Sequence, residues 1–323
     1  MLAFILNVYR IKFIKPDRGF RLILTFLKIY YKTFKKKYPI DFQRFINANK
    51  ISNSDYCNGS TIDANMQLII VATQKDFEVI DKTISITLKA LSNFKSISIS
   101  MIVPQTDIEI AKNLFVKPNY KISIINEFAV LDEKFLAKLH QMYSSRDTWV
   151  YQQALKLNAL ANCKAEYAMI LDADTVLLNA REWICSDGRQ MLCPSDEYNF
   201  EYYNFLNLIG VSEVVPFFTF VSHHMFYNPK LVQQMLSELD LALPSEQLNA
   251  LKLYSNKSHP SPLCIDFELY GQWLTKNKSD RVRFLKWSNI GISRKHLRLI
   301  IDSFFARWIL SKLYNSISFH AWS

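Results

Sequence analysis

The chain has 323 residues, half of them apolar, and carries a formal net charge of +10. This length and apolar content allow one or two globular domains with a substantial core. The six glycines form no GxGxxG or Walker-type loop, which argues against a Rossmann dinucleotide enzyme and a P-loop kinase. The five cysteines form no CxxC pair, so neither a zinc site nor a disulfide framework is indicated, and their odd number fits a reducing compartment.

Residues 1–50 form a basic N-terminal arm rich in bulky apolar residues. They contain twelve Lys or Arg against Asp17 and Asp41, so residues 51–323 carry 27 basic and 27 acidic side chains. A neutral body gives no sign of a nucleic-acid-binding surface. The arm has no uninterrupted apolar stretch of the roughly 18 to 20 residues that span a bilayer, and no signal cleavage site. Two interpretations stay open: a helical arm on an anionic membrane surface, or a helical arm packed on the body.

A polar, turn-rich segment at 51–64 is interpreted as a linker, and the folded body is expected at 65–323. The body begins with alternating strand and helix patterns, and Pro104 ends the second strand. These elements are strands at 67–73, 96–103 and 121–125 and helices at 77–91 and 108–115. The alternation predicts an α/β fold with a mostly parallel sheet.

Two further helices, at 131–142 and 149–161, precede a short apolar strand at 167–171. Thr148 is the expected cap of the second helix. One face of that helix is apolar and the other is polar, so the polar face can line a cleft. The polar face consists of Trp149, Gln152, Gln153 and Lys156. Later patterns predict strands at 191–194 and 217–227 and helices at 231–241 and 263–274.

The strand at 167–171 leads into Asp172-Ala-Asp174-Thr-Val176. Two carboxylates one residue apart can bind a hard cation through oxygen and present it to a phosphate. An aspartate after a strand also commonly caps a turn or the next helix. In open α/β sheets, however, ligands lie at the carboxyl ends of strands, where this pair falls. The context therefore favours a metal and phosphate site.

One enzyme class with this motif is the haloacid-dehalogenase-type phosphatases. Asp172, Asp174 and Val176 fit its Asp-x-Asp-x-Thr/Val pattern, with Asp172 as nucleophile and Asp174 as acid/base. Those enzymes also need a later acidic pair for magnesium, and this chain has no Gly-Asp or Asp-Asp dipeptide. Their nucleophile motif opens the domain, whereas here about a hundred residues of α/β pattern precede it. The phosphatase is therefore the secondary interpretation.

Four short motifs, in their order along the chain, resemble a bacterial family of largely uncharacterised glycosyltransferase-like proteins associated with surface polysaccharides. They are Trp149-Val-Tyr-Gln-Gln-Ala-Leu-Lys156, Leu171-Asp-Ala-Asp-Thr175, Phe220-Val-Ser-His-His-Met225 and Glu268-Leu-Tyr-Gly271. Residues 65–323 as a whole resemble GT-A type nucleotide-sugar glycosyltransferases, in which an α/β half binds the nucleotide and a hydrophobic strand ends in Asp-x-Asp. The resemblance implies a GT-A-like, Rossmann-type fold with a mostly parallel central sheet flanked by helices.

The resemblance also implies a Mn²⁺ or Mg²⁺ cofactor that bridges Asp174 and Asp172 to the diphosphate of a UDP-sugar or similar nucleotide-sugar donor. His320 is the expected third metal ligand, although a terminal histidine followed by Trp322 can equally belong to a packed tail. The donor-binding candidates lie at the end of the first strand, on the polar helix and just before it. They are Ala72, Thr73, Arg146, Gln153 and Lys156.

The acceptor side has its own candidates. An inverting transferase needs a carboxylate base near the acceptor hydroxyl. Asp266 and Glu268 are suitably placed by chain order, and Glu268 is preferred because it carries the resemblance; a retaining enzyme would need no such base. His223 and His224 are adjacent on a predicted strand, so only one can face the cleft. Glu197 is a further acceptor candidate.

These features predict a cytoplasmic, metal-dependent glycosyltransferase held at the inner membrane face by its basic arm. Its product would be a surface glycan, such as capsule or lipopolysaccharide, and its acceptor a glycan or a lipid-linked glycan. Two alternatives remain at this stage: the phosphatase described above, and a non-catalytic protein that binds a membrane or a partner through residues 1–50.

Overall fold

The structure is a computed structural model that describes residues 62–116, 121–143, 147–195, 201–211, 219–257, 263, 265–285 and 287–321. The predicted arm at 1–50 and most of the predicted linker lie outside these residues. The first strand, β1 (Ile62–Val71), begins within the segment predicted to be a linker. None of the described helices is long and apolar enough to cross a membrane.

The described part of the chain is organised around a central sheet. Its strands lie in the order β3-β2-β1-β4-β7, and the bounds of the other four are β2 Phe94–Val103, β3 Ile122–Asn126, β4 Tyr167–Leu171 and β7 His224–Tyr227. β1 to β4 are parallel, and β7 pairs antiparallel with β4. The predicted α/β class with a mostly parallel central sheet is thus confirmed.

Helices cover both faces of this sheet because the strands are apolar on both sides. In β4, Ala168 and Ile170 belong to one core and Met169 and Leu171 to the other, as the two-residue period of a strand requires. The second core contains α1 (Phe77–Ala90) and α2 (Ile108–Phe115). The first core contains α3 (Glu133–Tyr143), α4 (Asp147–Ala161), α5 (Glu201–Leu208), α6 (Pro229–Glu238), α7 (Pro244–Lys257) and α8 (Phe267–Asn277).

A smaller sheet brings the C-terminal part of the chain to the end of β4. In it β5 (Thr175–Leu177) pairs antiparallel with β10 (Ser316–His320), and β10 pairs parallel with β9 (Asn289–Ser293). The register places Ser318 opposite Thr175. A third pair joins β6 (Gln190–Leu192) to β8 (Val282–Phe284), and the helices α9 (Leu297–Ile301) and α10 (Phe304–Leu313) connect β9 to β10.

Two predicted elements differ from the structure for local reasons. The strand predicted at 217–227 is reduced, within its described residues, to β7, because His223 has a positive φ of 62° that interrupts an extended chain. The helix predicted at 263–274 begins only at Phe267, since the Asp266 side chain caps it by accepting a hydrogen bond from the Phe267 amide. Both deviations place a polar side chain at the candidate site.

Candidate active site

Asp172 and Asp174 lie in the tight turn between β4 and β5, at the carboxyl end of the central sheet. The amide of Thr175 donates to the Asp172 carbonyl at 2.9 Å, and the amide of Asp172 donates to the His223 carbonyl at 2.9 Å. The Asp174 carbonyl accepts from the Phe319 amide at 2.7 Å. The turn is therefore fixed on one side to the segment before β7 and on the other to β10.

Asp172 belongs to a charged triad with Lys156 and Asp266. Lys156 Nζ lies 2.7 Å from Asp172 Oδ1 and 2.8 Å from Asp266 Oδ2. Lys156 and Asp266 are buried, whereas the Asp172 side chain is 25% exposed. Burial raises the pKa of Asp172, but the Lys156 charge and the His223 contact lower it more, so the net pKa is well below its ordinary value. Burial lowers the pKa of Lys156, and the two carboxylates raise it well above its ordinary value. Asp172 and Lys156 are therefore held in their charged forms.

Asp174 pairs instead with His320. Its Oδ2 lies 3.0 Å from His320 Nδ1, and its Oδ1 accepts a hydrogen bond from Thr175 Oγ1 at 3.2 Å. The Thr175 and Ser318 hydroxyls are 2.7 Å apart across the β5–β10 pair. His320 packs closely on β9, because a Cβ at Gly291 would lie 2.9 Å from the His320 ring. The ring position therefore depends on a glycine at 291.

His223 completes what we call the acid–histidine cluster: Asp172, Asp174, His223 and His320. His223 Nδ1 lies 3.2 Å from Asp172 Oδ2, and the His223 and His320 ring centroids are 5.6 Å apart. All four side chains are partly exposed, between 15% and 25%. The cluster brings together residues of two of the four motifs, Leu171–Thr175 and Phe220–Met225, with His320 in one solvent-accessible place.

Glu268 does not reach this cluster. It is fully buried, its Oε2 accepts from the Phe220 amide at 2.8 Å, and its Oε1 accepts from Gln272 at 2.7 Å. Such a position gives an acceptor hydroxyl no access, so the predicted role as acceptor base does not fit. Glu268 instead anchors the start of the segment that ends in His223. The other candidate base, Asp266, is occupied by Lys156 and by capping α8.

Gly271, in the same motif as Glu268, accommodates Phe220. A Cβ at this position would overlap the buried Phe220 ring and lie 2.9 Å from Phe220 Cβ. The resemblance motifs around 220 and 268 are thus two sides of one packing contact. That contact positions the 220–224 segment, including the left-handed His223.

Gly271→Ala is expected to destabilise the protein by about 1 to 3 kcal/mol, because overpacking a filled core costs that much. Helix propensity alone would favour alanine by about 1 kcal/mol. A loss of stability on Gly271→Ala would therefore show that the clash with Phe220 outweighs this preference. Urea denaturation measures the effect. In a Phe220→Ala background, which lacks the overlapping Cγ and Cδ2 atoms, Gly271→Ala should cost less than it does in wild type. A Gly271→Ala variant more stable than wild type would contradict this packing.

His224, the second acceptor candidate, points into the core. It is fully buried, with its ring centroid 4.1 Å from that of Trp287 and 5.5 Å from that of Trp183. Its Nδ1 lies 2.8 Å from the Ser222 carbonyl oxygen. His223 alone of the pair faces the cluster, as expected for adjacent residues, and His224 has no surface for an acceptor. Burial lowers the pKa of His224 to about 4.

This depressed pKa predicts an acid-labile contribution to stability. An unfolded histidine has a pKa near 6.5. Between pH 6.5 and about 4, His224 is therefore protonated in the unfolded chain but neutral in the folded protein. Stability should therefore fall on acidification through this window, by up to about 1.4 kcal/mol per pH unit. Urea denaturation between pH 7.5 and pH 4.5 should show a smaller slope for His224→Gln than for wild type; equal slopes would refute the assignment.

The remaining donor candidates have varied positions. Gln153 is buried, and its amide bridges the Leu263 carbonyl and the Ile265 amide, which fixes the segment before Asp266. Ala72 is buried at the end of β1. Thr73 follows it and takes part in a capping box with Asp76. Arg146 and Glu197 lie outside the described residues.

Arg294 is a structural link that the sequence did not reveal. Its guanidinium donates to Asp76 Oδ1 at 2.9 Å and to the Phe319 carbonyl at 3.2 Å. It thus ties the turn after β1 to the residue before His320. In the sequence it stands in the run Arg294-Lys295-His296, which has the pattern of a solvated basic turn, so no local signal distinguished it.

Two side chains of the cluster, Asp174 and His320, are the ones that could share a divalent cation. Among the described residues, no group of three or more His, Cys, Asp or Glu forms a ready-made metal site. Asp174 and His320 do fit two ligand positions, because 3.0 Å is about the spacing of neighbouring ligands in an octahedron with bonds of about 2.1 Å. Mg²⁺ commonly binds through one or two carboxylates together with substrate phosphates and water.

Comparisons with known proteins give a partial match. A family of unknown function, DUF6492, matches residues 64–205, and no curated protein matches the chain. Among solved structures, the crystal structure of mouse xyloside xylosyltransferase 1 in its apo form is similar, with 12% identity, 80% of this chain and 98% of that chain covered, and a TM-score of 0.44. The family match includes Lys156, Asp172 and Asp174 but neither His223 nor His320.

Proposed function

We propose that this protein is a metal-dependent glycosyltransferase of GT-A type that transfers a sugar from a nucleotide-sugar, in the first place a UDP-sugar. The observation that supports it most is the pairing of Asp174 with His320, 146 residues apart in the chain, at the carboxyl end of the central sheet. This is the edge at which ligands of α/β sheets bind. An Asp and a His there match a site for a cation and a diphosphate.

In this proposal the two aspartates have different tasks. Asp174 and His320 hold Mn²⁺ or Mg²⁺, which when bound neutralises charge on the departing nucleoside diphosphate. Asp172 is already balanced by Lys156 at 2.7 Å and orients His223 at 3.2 Å. The His223 side chain is 20% exposed, so it could donate a hydrogen bond to a bound substrate. The charged triad of Lys156, Asp172 and Asp266 holds this arrangement in place before the substrate binds.

The acceptor and the cellular location belong to the same proposal. We place the protein in the cytoplasm at the inner face of the membrane, where its acceptor is a glycan or lipid-linked glycan of a surface polysaccharide. The basic residues of 1–50 would suit contact with anionic lipids there.

A nucleotide-sugar screen tests the function directly. The purified full chain is incubated with individual UDP-, GDP-, ADP- and CMP-sugars, with Mn²⁺, with Mg²⁺ or with a chelator, and nucleotide release is measured. We expect slow hydrolysis of at least one donor, stimulated by metal and abolished by the chelator. The absence of turnover for every donor, together with the absence of metal-dependent nucleotide binding by calorimetry, would overturn the proposal.

A further inference from the structure

The helix α10 presents its large apolar residues outward. Its buried residues are only Ala306 and Leu310. Phe304 is 75% exposed, Phe305 61% and Trp308 50%. A surface helix normally turns its bulky apolar residues toward the core, so α10 has the opposite arrangement.

The exposed residues form one continuous face rather than scattered positions. Phe304 and Trp308 are four residues apart, so they lie on the same side of the helix, and the Phe305 and Trp308 rings stack with centroids 6.2 Å apart. We call Phe304, Phe305 and Trp308 the α10 aromatic face. Contiguous apolar surface of this kind marks an interaction site.

The protein holds this face outward by fixed contacts at both ends of the helix. Ser303 caps the N-terminus by accepting from the Ala306 amide at 3.2 Å. Near the C-terminus, the Asn179 side chain donates to the carbonyls of Ser311 at 2.7 Å and Tyr314 at 3.2 Å. The helix cannot rotate to bury its aromatic rings without breaking these hydrogen bonds. The exposure is therefore a property of the fold.

The charges around the face are mostly basic. Residues 294–314 contain five Lys or Arg and a single acid, Asp302, which pairs with Lys82 at 3.5 Å. Two of the five bases, Arg294 and Arg298, pair with Asp76 and Glu78, which leaves Lys295, Arg307 and Lys312. Exposed Lys312 lies one helical turn beyond Trp308, on the same side, and Lys295 is exposed nearby in sequence; neither has an ion-pair partner among the described residues. Aromatic rings bordered by lysines suit the boundary between anionic headgroups and acyl chains.

We propose that the α10 aromatic face is a docking surface for an anionic lipid bilayer. Phe304, Phe305 and Trp308 enter the interfacial layer, and Lys295 and Lys312 contact lipid phosphates. Two other occupants fit the charge less well. Residues 1–50 carry twelve basic side chains and would bring like charge to the face. A second copy of the chain, meeting it across a twofold axis, would oppose Lys312 to its own equivalent.

Vesicle co-sedimentation of the full chain tests the surface without any donor sugar, so the result is independent of the proposed enzymatic activity. Wild type should bind vesicles that contain phosphatidylglycerol more tightly than vesicles of phosphatidylcholine alone. Phe304→Ser combined with Phe305→Ser and Trp308→Ser should weaken this partitioning about tenfold or more, given the apolar area lost. Ile110→Ser combined with Leu114→Ser, at two exposed apolar positions on α2, is the matched control and should bind as wild type does.

Trp308 separates this surface from the N-terminal arm, which can also bind lipid. The fluorescence difference between wild type and Trp308→Phe isolates this residue, and brominated lipids should quench it in bound protein. Three results would each overturn the proposal: undiminished binding of the triple variant, no lipid quenching of Trp308, or shielding of Trp308 from acrylamide in the lipid-free protein. Shielding in a monomer would point to a segment outside the described residues as the cover, and shielding in a dimer to a second copy.

Discussion

Asp174→Asn should lower metal-dependent turnover by about 100-fold or more while leaving the fold intact. Asn keeps the shape of the side chain but removes the charge that a hard cation requires. Losing a residue that only orients a ligand typically costs 10 to 100-fold, so losing a ligand should cost at least as much. The measurement is kcat/KM against Mn²⁺ concentration, for the donor found in the nucleotide-sugar screen.

The dependence on metal distinguishes a ligand from a structural residue. If Asp174 binds the cation, Asp174→Asn should need a higher Mn²⁺ concentration for half-maximal activity, and thermal denaturation should change little. Asp187→Asn is the matched control, because Asp187 is an exposed turn aspartate paired with Arg189; it should retain wild-type turnover. Wild-type kinetics and metal dependence in Asp174→Asn would rule out the assigned role.

The position of the aspartate pair could be predicted from the sequence. Which side chain pairs with Asp172 and which with Asp174 could not. The apolar run before Asp172 indicates a buried strand, and such a strand delivers its next residues to the carboxyl edge of the sheet. Which way each carboxylate turns depends on long-range pairing. Asp172 meets His223 because β7 pairs with β4, and Asp174 meets His320 because β10 pairs with β5. Neither register is encoded in a local pattern.

Glu268 and His224 were predicted to lie in the site, but the structure buries both. A polar residue within an apolar sequence must find a partner when it is buried, but the sequence does not say whether that partner is a ligand or another part of the protein. Glu268 finds the Phe220 amide, and His224 the Ser222 carbonyl. Gly271 was visible as part of a motif, yet its reason, the Phe220 ring, lies about fifty residues away and becomes visible only in the fold.

Lys156→Met should destabilise the protein by about 3 to 5 kcal/mol, because removing one partner of a buried ion pair leaves an uncompensated charge in the interior. The Lys156 side chain is 10% exposed and Asp266 only 3%. Methionine replaces most of the apolar volume of lysine, so lost packing contributes little to this effect. Urea denaturation of both proteins at neutral pH gives the difference in the free energy of unfolding.

A double-mutant cycle tells charge from packing. Asp266→Asn keeps the shape of the side chain and removes its charge. It should therefore lower the free energy of unfolding less in the Lys156→Met background than in wild type. The double variant should then be more stable than Lys156→Met alone, because no unpaired charge remains at Asp266. Since Asp172 keeps 25% exposure, water can solvate it once Lys156 is gone, whereas Asp266 has no such relief. Strictly additive losses would mean that Lys156 stabilises this edge of the sheet through its methylene chain rather than its charge.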